Sequence, residues 1–317
     1  MAKKRERKLT ITQQIMQVAI EKLSKYQNDV TRKMYTCQFK SYVKFCREHF
    51  NVRTFEDCRE HIQDYSDYLQ TENYTASTIH TYLASVCAVY EINLETIQKP
   101  TRHTADYVRG RNIKNIDSKN DLDNPEWHHI VEFQRKVGIR RAELMRLQGS
   151  DFVCDESGYF CIRVKRGKGG KTQYQRILEK DIEFVKAYFD SVEKDEYVFD
   201  KKYFENNLNF HGLRALSAKE YYFAQLQKIK ENPAYAEQLE REIRDRWEKM
   251  NLTKKGKPKK FKEIEIRGVY SLRGKNRERA LQKGLSLHYD KLALLATSIF
   301  KLSHWRNDVT VASYMLA

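Results

Sequence analysis

Apolar side chains recur at helical spacing four times within the first hundred residues, and that pattern constrains the fold more than any other feature of the chain. Ile11, Ile15, Val18 and Leu23 form one stripe. Tyr35, Phe39, Tyr42, Cys46 and Phe50 form a second, and Cys58, Ile62, Tyr65 and Leu69 a third. Ile79, Leu83, Val86 and Tyr90 complete the set, with Asn51 and Asn73 near the breaks. A helix with one apolar stripe must bury it against another element, so residues 1–100 are expected to form a small bundle of about four helices. The polar faces are rich in Lys, Arg, Thr and Tyr, as in "TASTIHTY" (75–82). Hydroxyls and helix starts of this kind either hold phosphates or are simply solvated.

Periodicity is lost at "IQKPTRHTADY" (97–107), where Pro100 marks a linker over 101–110. A second domain, 111–317, follows. "NPEWHHIVEFQRKVG" (124–138) reads as a helix capped by Asn124, opened by Pro125, stopped by Gly138 and buried along Ile130, Phe133 and Val137. His128 and His129 are expected on the surface or in helix packing. Phe160, Ile162 and Val164 then alternate with Cys161, Arg163 and Lys165, and the run from Thr172 to Leu178 also lacks helical spacing. Two such runs around a Gly-rich turn, "GKGGKT" (167–172), predict a β-hairpin. A helix over 180–191 comes next. The segment at about 220–270 is helical in propensity, with alternating charge, and runs into the basic stretch "LTKKGKPKKFK" (252–262). That stretch is either a solvated loop or a phosphate-contacting arm through Lys254, Lys255, Lys257, Lys259 and Lys260. The predicted fold is mainly α with a small β-hairpin or sheet: a helical N-terminal domain and a mixed α+β second domain.

Composition narrows the partner. The 317 residues carry 59 Lys and Arg against 43 Asp and Glu, a formal net charge of +16, which favours a polyanion such as nucleic acid. No apolar run reaches membrane-spanning length and the opening residues lack a signal-peptide core, so a soluble cytoplasmic protein is expected. The cysteines Cys37, Cys46, Cys58, Cys87, Cys154 and Cys161 form no Cys-x-x-Cys pair, and neither a metal site nor a disulfide framework is expected. Gly170-Lys171-Thr172 resembles the end of a nucleotide-binding loop. That loop needs a glycine where Lys165 stands, and it joins a strand to a helix rather than to a second strand.

Three clusters carry candidate chemistry. In "VGIRRAELMRLQGSDF" (137–152), Arg140, Leu144 and Leu147 would share the apolar face of a helix. A guanidinium there is either paired by Glu143 or aimed into an anion site. In "NFHGLRA" (209–215), His211 and Arg214 lie one helical turn apart and point the same way. "FKLSHWRNDVTVASYM" (300–315) supplies His304, Trp305 and Tyr314.

In this order the clusters resemble the tyrosine recombinases, the integrase family of phages and mobile elements. The first box of that family, approximately Gly-x-Arg-x-x-Glu-Leu-x-x-Leu, matches "GIRRAELMRL" (138–147). Its hairpin Gly-Lys-Gly-x-Lys matches 167–171, its His-x-Leu-Arg box matches 211–214, and its Leu-Gly-His box followed by a tyrosine matches Leu302-Ser303-His304 and Tyr314. The resemblance spans nearly the whole chain and implies a DNA-gripping core-binding domain ahead of a catalytic domain. It departs from the family at Ser303, which replaces glycine, and in the interval from His304 to Tyr314, one residue longer than the usual nine. Trp305 would restore nine if it took the histidine's place; Leu-x-His favours His304. The segment at about 220–270 is an insertion between Arg214 and His304. Three residues follow Tyr314, fewer than the tail helix many relatives carry.

The resemblance implies a site-specific recombinase that cuts and rejoins double-stranded DNA through a 3′-phosphotyrosyl bond, without metal or other cofactor. Tyr314 would be the nucleophile, Arg140 and Arg214 the phosphate clamp, His211 the base, His304 a phosphate donor and Lys168 the acid. Glu143 and Trp305 would support the site, and Lys171 would contact the DNA backbone. It also implies a homo-tetramer on DNA, accessory DNA-bending or directionality proteins, and residence with the bacterial nucleoid. A topoisomerase or telomere resolvase using the same residues, and a non-catalytic DNA-binding regulator on this scaffold, are the alternatives.

Overall fold

The computed structural model describes residues 9–103, 124–165, 167, 172–205, 208–250 and 266–317. The chain divides into two compact units, 1–103 and 104–317. The described residues are mainly helical, with one three-stranded and one two-stranded antiparallel sheet. None of their helices is long and apolar enough to cross a membrane.

In the first unit, helix starts are set by side-chain caps. Thr10 and Gln13 form a reciprocal box ahead of α1 (Ile11–Leu23), and Asn28 accepts from the amides of Val30 and Thr31 ahead of α2 (Asp29–His49). The third stripe is divided between α3 (Phe55–Arg59) and α4 (Ile62–Thr71), giving five α-helices among the described residues where about four helices were expected. Thr54 and Asp57 cap α3 reciprocally, which makes a short separate helix. Thr75 caps α5 (Ala76–Tyr90), which ends on Glu91 in the left-handed region. Ile15, Leu23, Phe39, Tyr42, Tyr65, Leu69, Ile79 and Leu83 fill one core, and Cys46, Cys58 and Cys87 pack in it as thiols. Each fully buried Leu or Phe there contributes about 1.5–3 kcal/mol.

The second unit opens, within the described residues, on Asn124, which caps a 3-10 turn over Pro125–Trp127. α6 (His128–Val137) follows and stops at Gly138, whose φ of +65° lies in the left-handed region. His129 packs edge-on against Tyr203. The expected hairpin is present: β2 (Phe160–Val164) pairs antiparallel with β3 (Gln173–Arg176), and β1 (Phe152–Cys154) pairs on the other side of β2. Cys161 and Ile162 are both buried although they point to opposite faces, so this sheet is covered on two sides at β2.

The helix expected over 140–147 is much shorter. α7 spans only Arg141–Leu144, and Arg140 precedes it in extended conformation, with ψ at 145°. Leu144 and Leu147 are buried as expected, but Arg140 does not share a helical face with them. α8 (Ile182–Asp190) follows the sheet. α9 (Phe210–Glu231) carries the His211–Arg214 pair, and α10 (Pro233–Met250) folds back beside it. A second two-stranded sheet, β4 (Val269–Ser271) with β5 (His288–Asp290), encloses α11 (Gly274–Gln282) in sequence. α12 (Lys291–Ala296) runs into a π-helical turn, Thr297–Lys301, and α13 (Asn307–Thr310) into another, Val311–Met315. In each π turn an amide bonds the carbonyl five residues back: Leu302 to Thr297, and Leu316 to Val311, both at 3.0 Å.

Candidate active site

Arg214 is the largest fully buried side chain in the described structure, 1% exposed. α9 carries it into the interior, where its guanidinium donates to three oxygens. These are the Gly138 carbonyl at 2.5 Å, the Leu302 carbonyl at 3.0 Å and Gln175 Oε1 on β3 at 3.3 Å. None of them is a carboxylate, so the positive charge is hydrogen-bonded but not neutralised. Its Nε has no partner. Burial pushes the guanidinium below its ordinary range; Tyr314 opposes that shift, and the positive charge of Arg140 adds to it.

Tyr314 lies in the π turn Val311–Met315 and is 6% exposed. Its ring centre is 5.9 Å from the Arg214 guanidinium carbon, 5.4 Å from the His211 ring and 6.3 Å from the His304 ring. Residues distant in sequence thus meet around one phenol. His211 and Arg214 reach it from the first turn of α9, and His304 reaches it from the loop after the π turn Thr297–Lys301.

His304 is held by backbone geometry. Its amide donates to the Ser298 carbonyl at 2.8 Å, and its Nδ1 accepts from the Arg306 amide at 3.3 Å. With Nδ1 accepting, the ring proton sits on Nε2, and that nitrogen is buried with no partner. Burial, with Arg214 and Arg140 adding to it, brings the imidazole down to about 4, so it is neutral at pH 7. Ser303 adopts a φ of +56°. This is the left-handed region that glycine occupies without a steric penalty, which accounts for the glycine usual at this place in the box. Trp305 packs edge-on against Trp247 of α10, with ring centres 4.9 Å apart.

Arg140 is 30% exposed at its side chain and donates to Glu143 Oε1 at 2.6 Å. The other Glu143 oxygen accepts from the Arg140 backbone amide at 3.1 Å. Glu143 therefore both caps α7 and orients the guanidinium. Lys168, Lys171, Lys254, Lys255, Lys257, Lys259 and Lys260 lie outside the described residues.

Three contributors were missed in the sequence. Gln175 bonds Arg214, and nothing marks it in an alternating strand. Gly138 stands in the sequence as a helix stop and as the first residue of the box at 138–147, and neither marks its carbonyl as a partner of Arg214. Lys301 is buried to 1% and donates to the Lys136 carbonyl at 2.6 Å and the Arg176 carbonyl at 3.5 Å. Burial brings its ammonium down to about 7, against the pull of Asp181. A lysine inside the apolar run "LALLATSIFKL" (292–302) was the available signal.

No group of three or more His, Cys, Asp or Glu side chains placed to hold a metal occurs among the described residues. No protein-family model matches the chain. No curated protein matches it. Among solved structures, a XerA recombinase crystal structure is similar at 18% identity, covering 64% of this chain and 82% of that one, with a TM-score of 0.22. A score that low carries no functional argument.

Proposed function

We propose that this protein is a site-specific DNA recombinase of the tyrosine type, acting through Tyr314. One observation carries the reading. Two buried nitrogens, Arg214 Nε and His304 Nε2, lack partners in the structure, and both belong to side chains grouped around the phenol of Tyr314. A buried polar group without a partner costs about 1–3 kcal/mol, so two such donors around one phenol favour a site where a ligand engages them. Donors set around a nucleophilic oxygen suit an anion attacked by that oxygen. The net charge of +16 favours a nucleic-acid phosphate as that anion.

The chemistry follows from the side chains. The Tyr314 hydroxyl attacks phosphorus, forming a 3′-phosphotyrosyl bond as the bond to the 5′-oxygen breaks. Its proton passes to His211, since a neutral phenol is a weak nucleophile. Arg214 and Arg140 donate to the non-bridging oxygens as charge builds on them, and neutral His304 donates from Nε2. Lys168 protonates the departing 5′-oxygen. The free 5′-hydroxyl then reverses the step on the same or another strand, so no outside energy source is consumed. In this reading residues 1–100 grip the duplex, 101–110 link, and 111–317 carry the chemistry. Lys171 and the lysines at 254–260 contact phosphates, and four copies act on two duplexes to move a mobile element.

The test uses duplexes carrying a randomised core and a nick that lets the cut end diffuse away. Wild-type protein should form a detergent-resistant adduct with a subset of the pool, and Tyr314→Phe none. An adduct of equal yield from Tyr314→Phe removes the nucleophile assignment, and no adduct from wild type removes the reading. Relaxed plasmid without exchange, or hairpin ends, would instead indicate the topoisomerase or resolvase outcome.

A further inference from the structure

The loop that holds His304 is braced by the helix inserted ahead of it. Ala236, Leu239 and Ile243 lie on one face of α10 and are buried with Leu295, Ile299 and Phe300 in a single core, with Trp305 packed against it. Trp247 continues that face one turn beyond Ile243 and meets the indole of Trp305 edge to ring at 82°. Phe300, within the π turn, lies between two guanidiniums: Arg176 at 3.8 Å and Arg246 of α10 at 5.1 Å from its ring centre. Arg176 is itself gripped by Glu242 of α10 through two bonds, one of them 3.1 Å long. α10 therefore touches the turn before His304 and the residue after it.

Backbone bonds fix the His304 amide on Ser298 and its Nδ1 on the Arg306 amide, and nothing bonds its Nε2. Ser303 beside it is in the left-handed region with a buried hydroxyl that bonds nothing, and the loop makes no sheet or helix ladder of its own. We infer that α10 positions the Nε2 donor of His304, with Trp247 and Glu242 as the positioning residues, rather than serving only as a support for DNA-contacting lysines. The inference rests on the recombinase reading for its consequence, though its geometry does not. A displacement of about 1 Å in a catalytic donor can cost about 100-fold in rate. Loss of the indole edge should therefore slow cleavage at saturating DNA by about 10- to 100-fold while leaving DNA affinity near that of wild type.

The experiment uses full-length protein and the nicked duplex recovered as an adduct of wild type. Trp247→Leu, which keeps apolar bulk, should slow single-turnover adduct formation at saturating DNA, and Trp247→Phe, which keeps a ring, should restore most of the rate. Glu242→Gln weakens the other grip while leaving the apolar face of α10 unchanged and should slow the same step. Unchanged rates in Trp247→Leu and Glu242→Gln, or a fall in affinity at constant rate, overturn the inference. A DNA-free readout separates its failure from that of the recombinase reading. The nitrogen-15 signals of His304 in the free protein should move in Trp247→Leu, and signals identical to wild type overturn the positioning role whether or not an adduct ever forms.

Discussion

Lys301 shows what a single buried charge does here. Its ammonium bonds two backbone carbonyls, Lys136 on α6 and Arg176 on β3, and so ties together the elements that lead to Gly138 and Gln175, both partners of Arg214. Its folded-state value of about 7 lies below the 10.5 of an exposed lysine. Between those values the unfolded chain binds a proton that the folded one has released, so stability rises with pH across that window. Below about 7 both states are charged and the full desolvation penalty applies. Lys301→Met should flatten this rise, read as a urea midpoint that no longer climbs from neutral to alkaline pH. The sequence exposed the anomaly, a lysine in an apolar run, but not its use, because its partners are carbonyls more than a hundred residues away. His304 and Tyr314 were legible because their box is local. Gln175 was not, since its role depends on what α9 brings beside β3.

At the scale of elements, Gly138 joins a helix stop to the site. A methyl group there would sit 2.6 Å from Ser217 Oγ and 2.7 Å from its Cβ, at a φ that disfavours side chains. Gly138→Ala should cost about 2–4 kcal/mol of stability by denaturant unfolding, combining strain with overpacking, and should slow cleavage by displacing a carbonyl that holds Arg214. Helix bounds were legible where cap and stripe agreed, as for α6. The error at Arg140 has a plain cause. An Arg and a Glu three residues apart resemble a helical ion pair, yet Glu143 also accepts from the Arg140 amide, so it marks a helix start instead. The β4–β5 pair escaped because each strand has only three residues and a whole helix lies between them.

For the whole molecule, each unit contains a core of its own. Every buried residue of the first core falls between Ile15 and Ile97. A fragment of residues 1–103 should therefore fold alone with a cooperative helical melt by circular dichroism, and a gradual, non-cooperative loss of signal would show that it depends on the rest of the chain. What the sequence left open at this scale was the use of the insertion. Its charge suggested DNA contact, whereas its buried face, visible only once α10 packs on the turn around Phe300, ties it to the segment that leads to His304.

The π turn under Tyr314 gives the chain tolerance of length. Adding a residue to an α-helix ordinarily rotates everything beyond it by about 100°. A π turn closes its hydrogen bond five residues back instead of four, so it absorbs one added residue while returning the chain to its former direction. The interval from His304 to Tyr314 is one residue longer than the resemblance implies, and the π turn Val311–Met315 lies at its end.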